Sequence, residues 1–185
     1  LEAYEKKVAE RFDSVSLVSP EEAMLFRSML NGAQRDKVFA VTNGVDSDYF
    51  NADNDFESID LPTKLVSFTG AMDYWANIEA VVWFCRYVWP RVLKKCPDAC
   101  FYIVGTNPSG EVLALHNEKN IIVTGRVPDV RPYIYSSLVV VAPLRIARGV
   151  QNKVLEALSL DKFVVGTTMA FEGNEYKKLD IQIAL

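Results

Sequence analysis

From Thr63 onward, short apolar runs alternate with helix-patterned stretches, and a glycine or proline closes almost every apolar run. The apolar runs are Leu65–Thr69, Cys100–Val104, Ile121–Thr124, Val139–Ala142 and Phe163–Val165, followed by Gly70, Gly105, Gly125, Pro143 and Gly166. Between them, Asn77–Lys95 carries Ile78, Val81, Val82, Cys85, Val88, Trp89 and Val92 at spacings of three and four, the period of a helix face. Glu111–His116 reads as a short helix. Asp129–Ser136 reads as a helix capped by Asp129 with Pro132 in its first turn, and Gln151–Leu160 as a further helix. Such alternation specifies an α/β fold: a Rossmann-like, doubly wound parallel sheet with helices on both faces. Ligands of open sheets of this kind bind at the carboxyl ends of the strands. The closing glycines let backbone approach a ligand there, or serve as ordinary turn residues.

The segment before Thr63 differs. Leu1–Arg11 has helical polarity, Ser14–Val18 alternates like a strand, Ser19-Pro-Glu-Glu22 is a helix start, and Val38–Val41 is a second short strand. Residues 1–45 thus read as a small strand–helix–strand remnant of a preceding domain, in a chain that begins in mid-helix. Two strands are too few for a sheet of their own, and they would expose apolar faces and unpaired edges. Residues 1–45 are therefore expected to pack on a second copy of the chain or to be poorly ordered. Residues 46–62 are polar, acidic and turn-rich, as a linker would be. Residues 63–185 form the main domain.

Composition removes several function classes. Half of the 185 residues are hydrophobic, enough for one domain with a core, and the net charge is −4 with both signs interspersed. No basic run suggests nucleic acid, so phosphate chemistry must be local. Three cysteines without CxxC spacing do not make a disulfide framework, and thiols in a reducing cytoplasm are expected. The single histidine, His116, lies in a polar stretch and reads as a surface residue, which leaves little material for a zinc site or a catalytic triad. No GxGxxG follows a strand, so a dinucleotide dehydrogenase is disfavoured. No apolar run approaches the roughly 20 residues of a membrane span, and no signal peptide is visible.

The chemistry concentrates between Val139 and Gly173. There a strand, a loop carrying Arg145, Arg148 and Gly149, a helix carrying Asn152, Lys153 and Glu156, and another strand follow in order. A helix start exposes unpaired backbone N–H groups and the positive end of the helix dipole, which suits an anion, and the cations strengthen the case for phosphate. Glu156 repels phosphate but suits the paired hydroxyls of a sugar. Alternatively, it is a solvated carboxylate paired with Lys153 at i−3. Trp75, Trp83 and Trp89 read as core or interdomain packing. Asp73 and Tyr74 flank the cleft without a derivable role.

This stretch resembles the donor-binding motif of the GT-B glycosyltransferases, in particular the large retaining group often called family 4. Val41-Thr-Asn-Gly-Val-Asp46 resembles the segment linking their two domains. Phe68-Thr-Gly-Ala-Met-Asp-Tyr74 resembles the glycine turn after the first strand of their second domain, and Val123-Thr-Gly-Arg-Val-Pro-Asp-Val-Arg-Pro-Tyr133 resembles their GxVxD turn. The wording ARGVQNKVLEAL is most similar to bacterial sugar transferases associated with exopolysaccharide assembly.

The resemblance implies the C-terminal, donor-binding half of a GT-B enzyme. It would transfer a hexose from a nucleoside-diphosphate sugar to a glycan or lipid-linked acceptor, with retention and without a required metal or other cofactor. Glu156 would hold the ribose, while Gly70, Ala71, Gly105, Gly125, Arg126 and Val127 would line the strand ends around the nucleotide. A cytoplasmic protein is implied, with peripheral association of the full enzyme at the inner face of the membrane left open. The general base is unknown.

Two departures bear on the donor. Where the family carries a glutamate eight residues before Glu156, this chain has Arg148. Where the family carries an arginine and a lysine in the first glycine turn, Gly70-Ala-Met-Asp-Tyr-Trp-Ala-Asn77 has no base. The diphosphate would then depend on Arg145, Arg148 and Lys153, or on basic residues of a preceding domain. A nucleotide-sugar epimerase of the same architecture, or a non-catalytic nucleotide- or glycan-binding module, remain alternatives.

Overall fold

The computed structural model describes residues 2–147, 149–172 and 182–183. Arg148, a sequence-derived site residue, lies outside them. Six parallel strands form the main sheet: β3 (Leu65–Thr69), β4 (Cys100–Val104), β5 (Ile121–Gly125), β6 (Val139–Ala142), β7 (Val164–Gly166) and β8 (Gln182–Ile183). Their spatial order is β5-β4-β3-β6-β7-β8. The chain winds outward from β3 in one direction and then from β6 in the other, so the order reverses between these two neighbours, the place where such sheets leave a crevice.

The strand sequences explain the burial. Leu65, Ser67 and Thr69 share one face of β3 and Phe68 lies on the other, and all four are buried. Both faces of the central strand are therefore covered, which is why it reads as a continuous apolar run instead of a polar–apolar alternation. Phe84, Trp89 and Phe101 pack ring to ring in the same core.

The long helix expected over 77–95 starts two residues earlier and is not uniform. It runs as α3 (Trp75–Trp83), a π-helical turn (Phe84–Val88) and α4 (Trp89–Lys95). Pro90 supplies the reason. It has no N–H to return to Arg86, so the ladder widens there, and the Trp89 N–H bonds the Phe84 carbonyl five residues back. Trp89 itself is buried and donates its indole N–H to the Lys119 carbonyl at 2.8 Å. The remaining helices are α5 (Gly110–Leu113), α6 (Arg131–Tyr135) and α7 (Asn152–Ser159). Asp129 sits one residue before the cap position of α6, and its carboxylate accepts the Arg131 N–H at 2.9 Å.

Residues 1–45 depart from expectation. α1 (Glu2–Arg11), β1 (Val15–Leu17), α2 (Pro20–Ser28) and β2 (Val38–Ala40) form where the sequence places them, with Ser19 capping α2 through the Glu22 N–H at 3.1 Å. Contrary to that expectation, β1 and β2 do pair, as a two-stranded parallel sheet. Two strands suffice because α1 and α2 supply the missing layer. Ala9, Ala23, Leu30 and Val38 make a second small core, and the Arg27 guanidinium donates to the Val38 carbonyl. Phe39 and Val41 stay exposed, as the sequence suggests for the strands, and so do Met24 and Leu25 on α2.

The segment 46–62 contains no helix or strand, yet it is fastened to the main domain. Phe50 and Phe56 pack on the main core, the Ser159 hydroxyl donates to the Phe50 carbonyl, and the Arg131 guanidinium stacks 3.7 Å over the Tyr49 ring. Among the described residues no helix is long and apolar enough to cross a membrane.

Candidate donor-binding site

A cleft of about 490 Å³ opens at the carboxyl ends of β3 and β4. One wall is backbone. Gly70 ends β3 and Gly105 ends β4, and the two turns are stitched together by the Gly70 N–H on the Val104 carbonyl (3.1 Å) and the Met72 N–H on the Thr106 carbonyl (2.7 Å). A Cβ on Gly105 would stand 1.7 Å from the Gly70 carbonyl oxygen, and Gly105 has φ +159°. Only glycine fits that crossing, so its place after the strand is a steric requirement. Asp73, without a role in the sequence, accepts a hydrogen bond from the Asn107 amide at 3.0 Å and so ties the same two turns together at their rim.

The other wall is helix α7. Gln151 occupies its N-cap position but makes no side-chain cap bond to it. Lys153 and Glu156 both line the cleft, one turn apart on one face. Burial pushes the Lys153 ammonium below its ordinary pKa, with Glu156 partly offsetting the effect. Burial likewise raises the Glu156 carboxyl, with Lys153 opposing. Both charges are thus held partly out of water, where each would gain from a ligand of opposite or complementary polarity.

Between the walls stands Asn77, a residue the sequence reading did not single out. It is buried on the first turn of α3, donates its amide to the Ala71 carbonyl at 2.9 Å, and accepts from the Lys153 ammonium at 3.2 Å. Lys153 also runs alongside Gly70, its Cε 3.5 Å from where a Gly70 Cβ would be. The first glycine turn has no base of its own, and the structure delivers one to it from α7 through Asn77, which Lys153 follows by 76 positions in the chain. The available signal was an amide at a buried helix position directly after a base-free turn.

The other expected residues divide. Gly70, Ala71, Gly105, Asn152, Lys153 and Glu156 line the cleft. Asn43, from the Val41–Asp46 segment, lines it too and reaches the Asn152 side chain at 3.4 Å. Thr69 adds a buried hydroxyl with no hydrogen-bond partner among the described residues. Gly125, Arg126 and Val127 are not among its lining residues. The Gly125 carbonyl accepts from the Gly105 N–H at 3.2 Å, and Val130, further along that turn, is the one that reaches the cleft. Gly149 is packed on the N-terminal unit, its Cβ position 3.1 Å from Val18.

Arg145 corrects an expectation: it is not at this cleft. It pairs with Glu79 at 2.8 Å and stacks toward the Trp83 ring, because the loop after Pro143 carries it to the other side of α3. His116 is exposed and accepts the Val123 N–H through Nδ1 at 3.1 Å, a surface role as read. Among the described residues no group of three or more His, Cys, Asp or Glu side chains could hold a metal ion.

The profile of the family described as glycosyl transferases group 1 matches residues 63–178. The chain belongs to the group 1 glycosyltransferases. The chain is 25% identical over 126 residues to a Klebsiella pneumoniae protein described as an uncharacterized 44.6 kDa protein in the cps region, covering 64% of this chain and 32% of the relative. The chain therefore spans about a third of that relative's length.

Solved structures share the fold. S. aureus TarM superposes with a TM-score of 0.70 at 18% identity over 92% of this chain and 32% of its own. The pneumococcal O-GlcNAc transferase GtfA, in complex with UDP and GlcNAc, gives 0.68 at 14% identity over 91% of this chain and 33% of its own. Anabaena Alr3699/HepE, in complex with UDP and glucose, gives 0.66 at 15% identity over 90% and 48%.

Proposed function

We propose that this chain is the donor-binding half of a glycosyltransferase that moves a sugar from a nucleoside-diphosphate sugar to a glycan or lipid-linked acceptor. One observation carries the reading. Lys153 and Glu156 face a single cleft with the crossed glycine turns of β3 and β4, so a cation, a carboxylate and close backbone meet at the switch point of the sheet.

In this reading Glu156 accepts the two ribose hydroxyls, as charge-assisted bonds of roughly 1.5–3 kcal/mol each. Lys153 and the start of α7 face the diphosphate, whose negative charge grows as the sugar departs, and stabilising that charge is the largest electrostatic task of the reaction. Asn77 keeps Lys153 aimed at the first glycine turn. Arg148, four positions before Asn152 in the sequence, is a second cation for the diphosphate or a donor to the sugar. The turn of Gly125, Arg126 and Val127 borders the base.

The UDP complexes of the Anabaena and pneumococcal neighbours support a nucleoside diphosphate as ligand, and the cps-region relative is in keeping with exopolysaccharide assembly. Transfer of a hexose with retention, a cytoplasmic setting and peripheral membrane association of the full enzyme belong to the same proposal. So does a domain division at 45 and 62, with the acceptor surface on the N-terminal side.

Calorimetric titration of the chain with UDP, GDP and ADP tests the donor site. Saturable binding of one of them, weakened in Glu156→Gln, is expected. No binding of any of the three would sink the proposal. Turnover of UDP-glucose and related donors by the full-length protein, with the anomeric configuration of the product read by NMR, tests the reaction.

A further inference from the structure

A second cleft, of about 480 Å³, lies on the other side of α3 and has no part in the donor site. Trp75, Trp83 and Tyr87 line it, together with Glu79, Arg86 and Arg145. Trp75 is 55% exposed and Tyr87 54% exposed, so neither ring is used as core, unlike Trp89. Tyr87 and Arg86 lie within the π-helical turn that Pro90 enforces, and single π turns inside helices are frequent at functional sites.

The polar groups are arranged as well. Arg145 donates to one oxygen of Glu79 at 2.8 Å and lies 5.5 Å over the Trp83 ring, which fixes both side chains. The second oxygen of Glu79 is buried without a hydrogen-bond partner among the described residues. A buried acceptor left without a donor costs free energy until something supplies one.

From these observations we infer that the cleft over α3 is a binding site for a neutral glycan chain, separate from the donor site. Pyranose rings present apolar C–H faces that stack on exposed aromatic rings, and their hydroxyls can donate to Glu79 and accept from Arg86. The charged side chains at the cleft balance, Glu79 and Glu111 against Arg86 and Arg145, so a polyanion gains nothing there. A helical peptide would ask for a continuous aliphatic groove, whereas here only Ile78 and Val82 are aliphatic. The volume falls within the range of small-ligand pockets. The first turn of α3 is shared, with Asn77 at the donor cleft and Trp75 at this one, so a glycan held here lies beside the donor site.

The test is a titration of the chain with linear hexasaccharides of glucose, galactose, mannose and N-acetylglucosamine, followed by tryptophan fluorescence and calorimetry. UDP is titrated into the same samples. Saturable binding of at least one oligosaccharide is expected, weakened roughly tenfold by Trp75→Ala and by Tyr87→Ala, with UDP affinity unchanged. Glu79→Gln should weaken it by a similar factor. No binding across the panel to millimolar concentration overturns the inference, as does binding that survives all three substitutions. Binding of an amphipathic helical peptide or of anionic phospholipid vesicles in place of the sugars overturns it too. Loss of UDP binding with oligosaccharide binding intact would instead count against the donor-site reading alone.

Discussion

The two walls of the proposed donor cleft are built on different principles. The wall at the ends of β3 and β4 is neutral, made of backbone and one buried amide, and its shape is set by contacts as close as that between Gly105 and the Gly70 carbonyl. The wall on α7 carries charge on long side chains, Lys153 and Glu156, held by partial burial and by the hydrogen bond from Lys153 to Asn77. The first wall is rigid because the sheet positions it. The second rests on side chains, and its cation leans on the first through Asn77. Errors in the first wall should therefore cost the fold, and errors in the second should cost binding.

Gly105→Ala is the strongest test of that separation. The added methyl meets backbone that cannot move without parting β3 from β4, and a loss of about 3 kcal/mol in folding free energy is expected by urea denaturation. A variant within 0.5 kcal/mol of the parent, on the order of an ordinary surface substitution, would show that the neutral wall is not rigid.

Asn77→Leu cuts across the comparison, because Asn77 belongs to both walls. It leaves the Ala71 carbonyl and the Lys153 ammonium without their shared partner, for about 2 kcal/mol of stability. UDP affinity should fall as well. Asn77→Asp can still accept from Lys153 but cannot donate to Ala71, so it should restore part of the UDP affinity and little of the stability. Equal behaviour of the two variants would mean that Asn77 serves only one wall.

Glu156→Gln should leave the melting temperature nearly unchanged and weaken UDP binding roughly tenfold, about 1.4 kcal/mol. Equal UDP affinities by calorimetry would remove Glu156 from the ribose.

The smallest expected effect is the pH dependence. Burial raises the Glu156 pKa, so the carboxylate, and binding of a nucleoside that lacks phosphate, should fade as pH drops through that raised value. The same raised pKa means that the protonated native state is favoured at low pH and that this contribution is lost as pH rises through it. At neutral pH Glu156→Gln should therefore be stabilising, by less than about 1 kcal/mol. A pH profile of uridine binding that is the same in the parent and the Gln variant would exclude Glu156 as its source.

Much of this was legible in the chain itself. Strand and helix positions follow from apolar runs punctuated by glycine and proline, since a parallel sheet covered on both faces needs that pattern. Lys153 and Glu156 share a helix face by spacing alone, and the helix that carries them starts where Gln151 begins the periodic stretch. The helix over 77–95 was legible as a helix but not as one with a π turn, although Pro90 was its signal. The pairing of β1 with β2 was misjudged because the strands were counted without the helices that cover them.

What the sequence determined by itself, then, is the period of each element and the residue types along it. Tertiary structure alone decided which ends meet. The order β4-β3-β6 brings the base-free turn of Gly70 beside a lysine 83 positions further on, and no local pattern encodes that distance. It also carries Arg145, three positions from Arg148 in the chain, to the far side of α3 and into an ion pair with Glu79. Local periodicity is fixed by backbone geometry within a few residues, whereas the partner of a buried charge is fixed by which strands lie side by side.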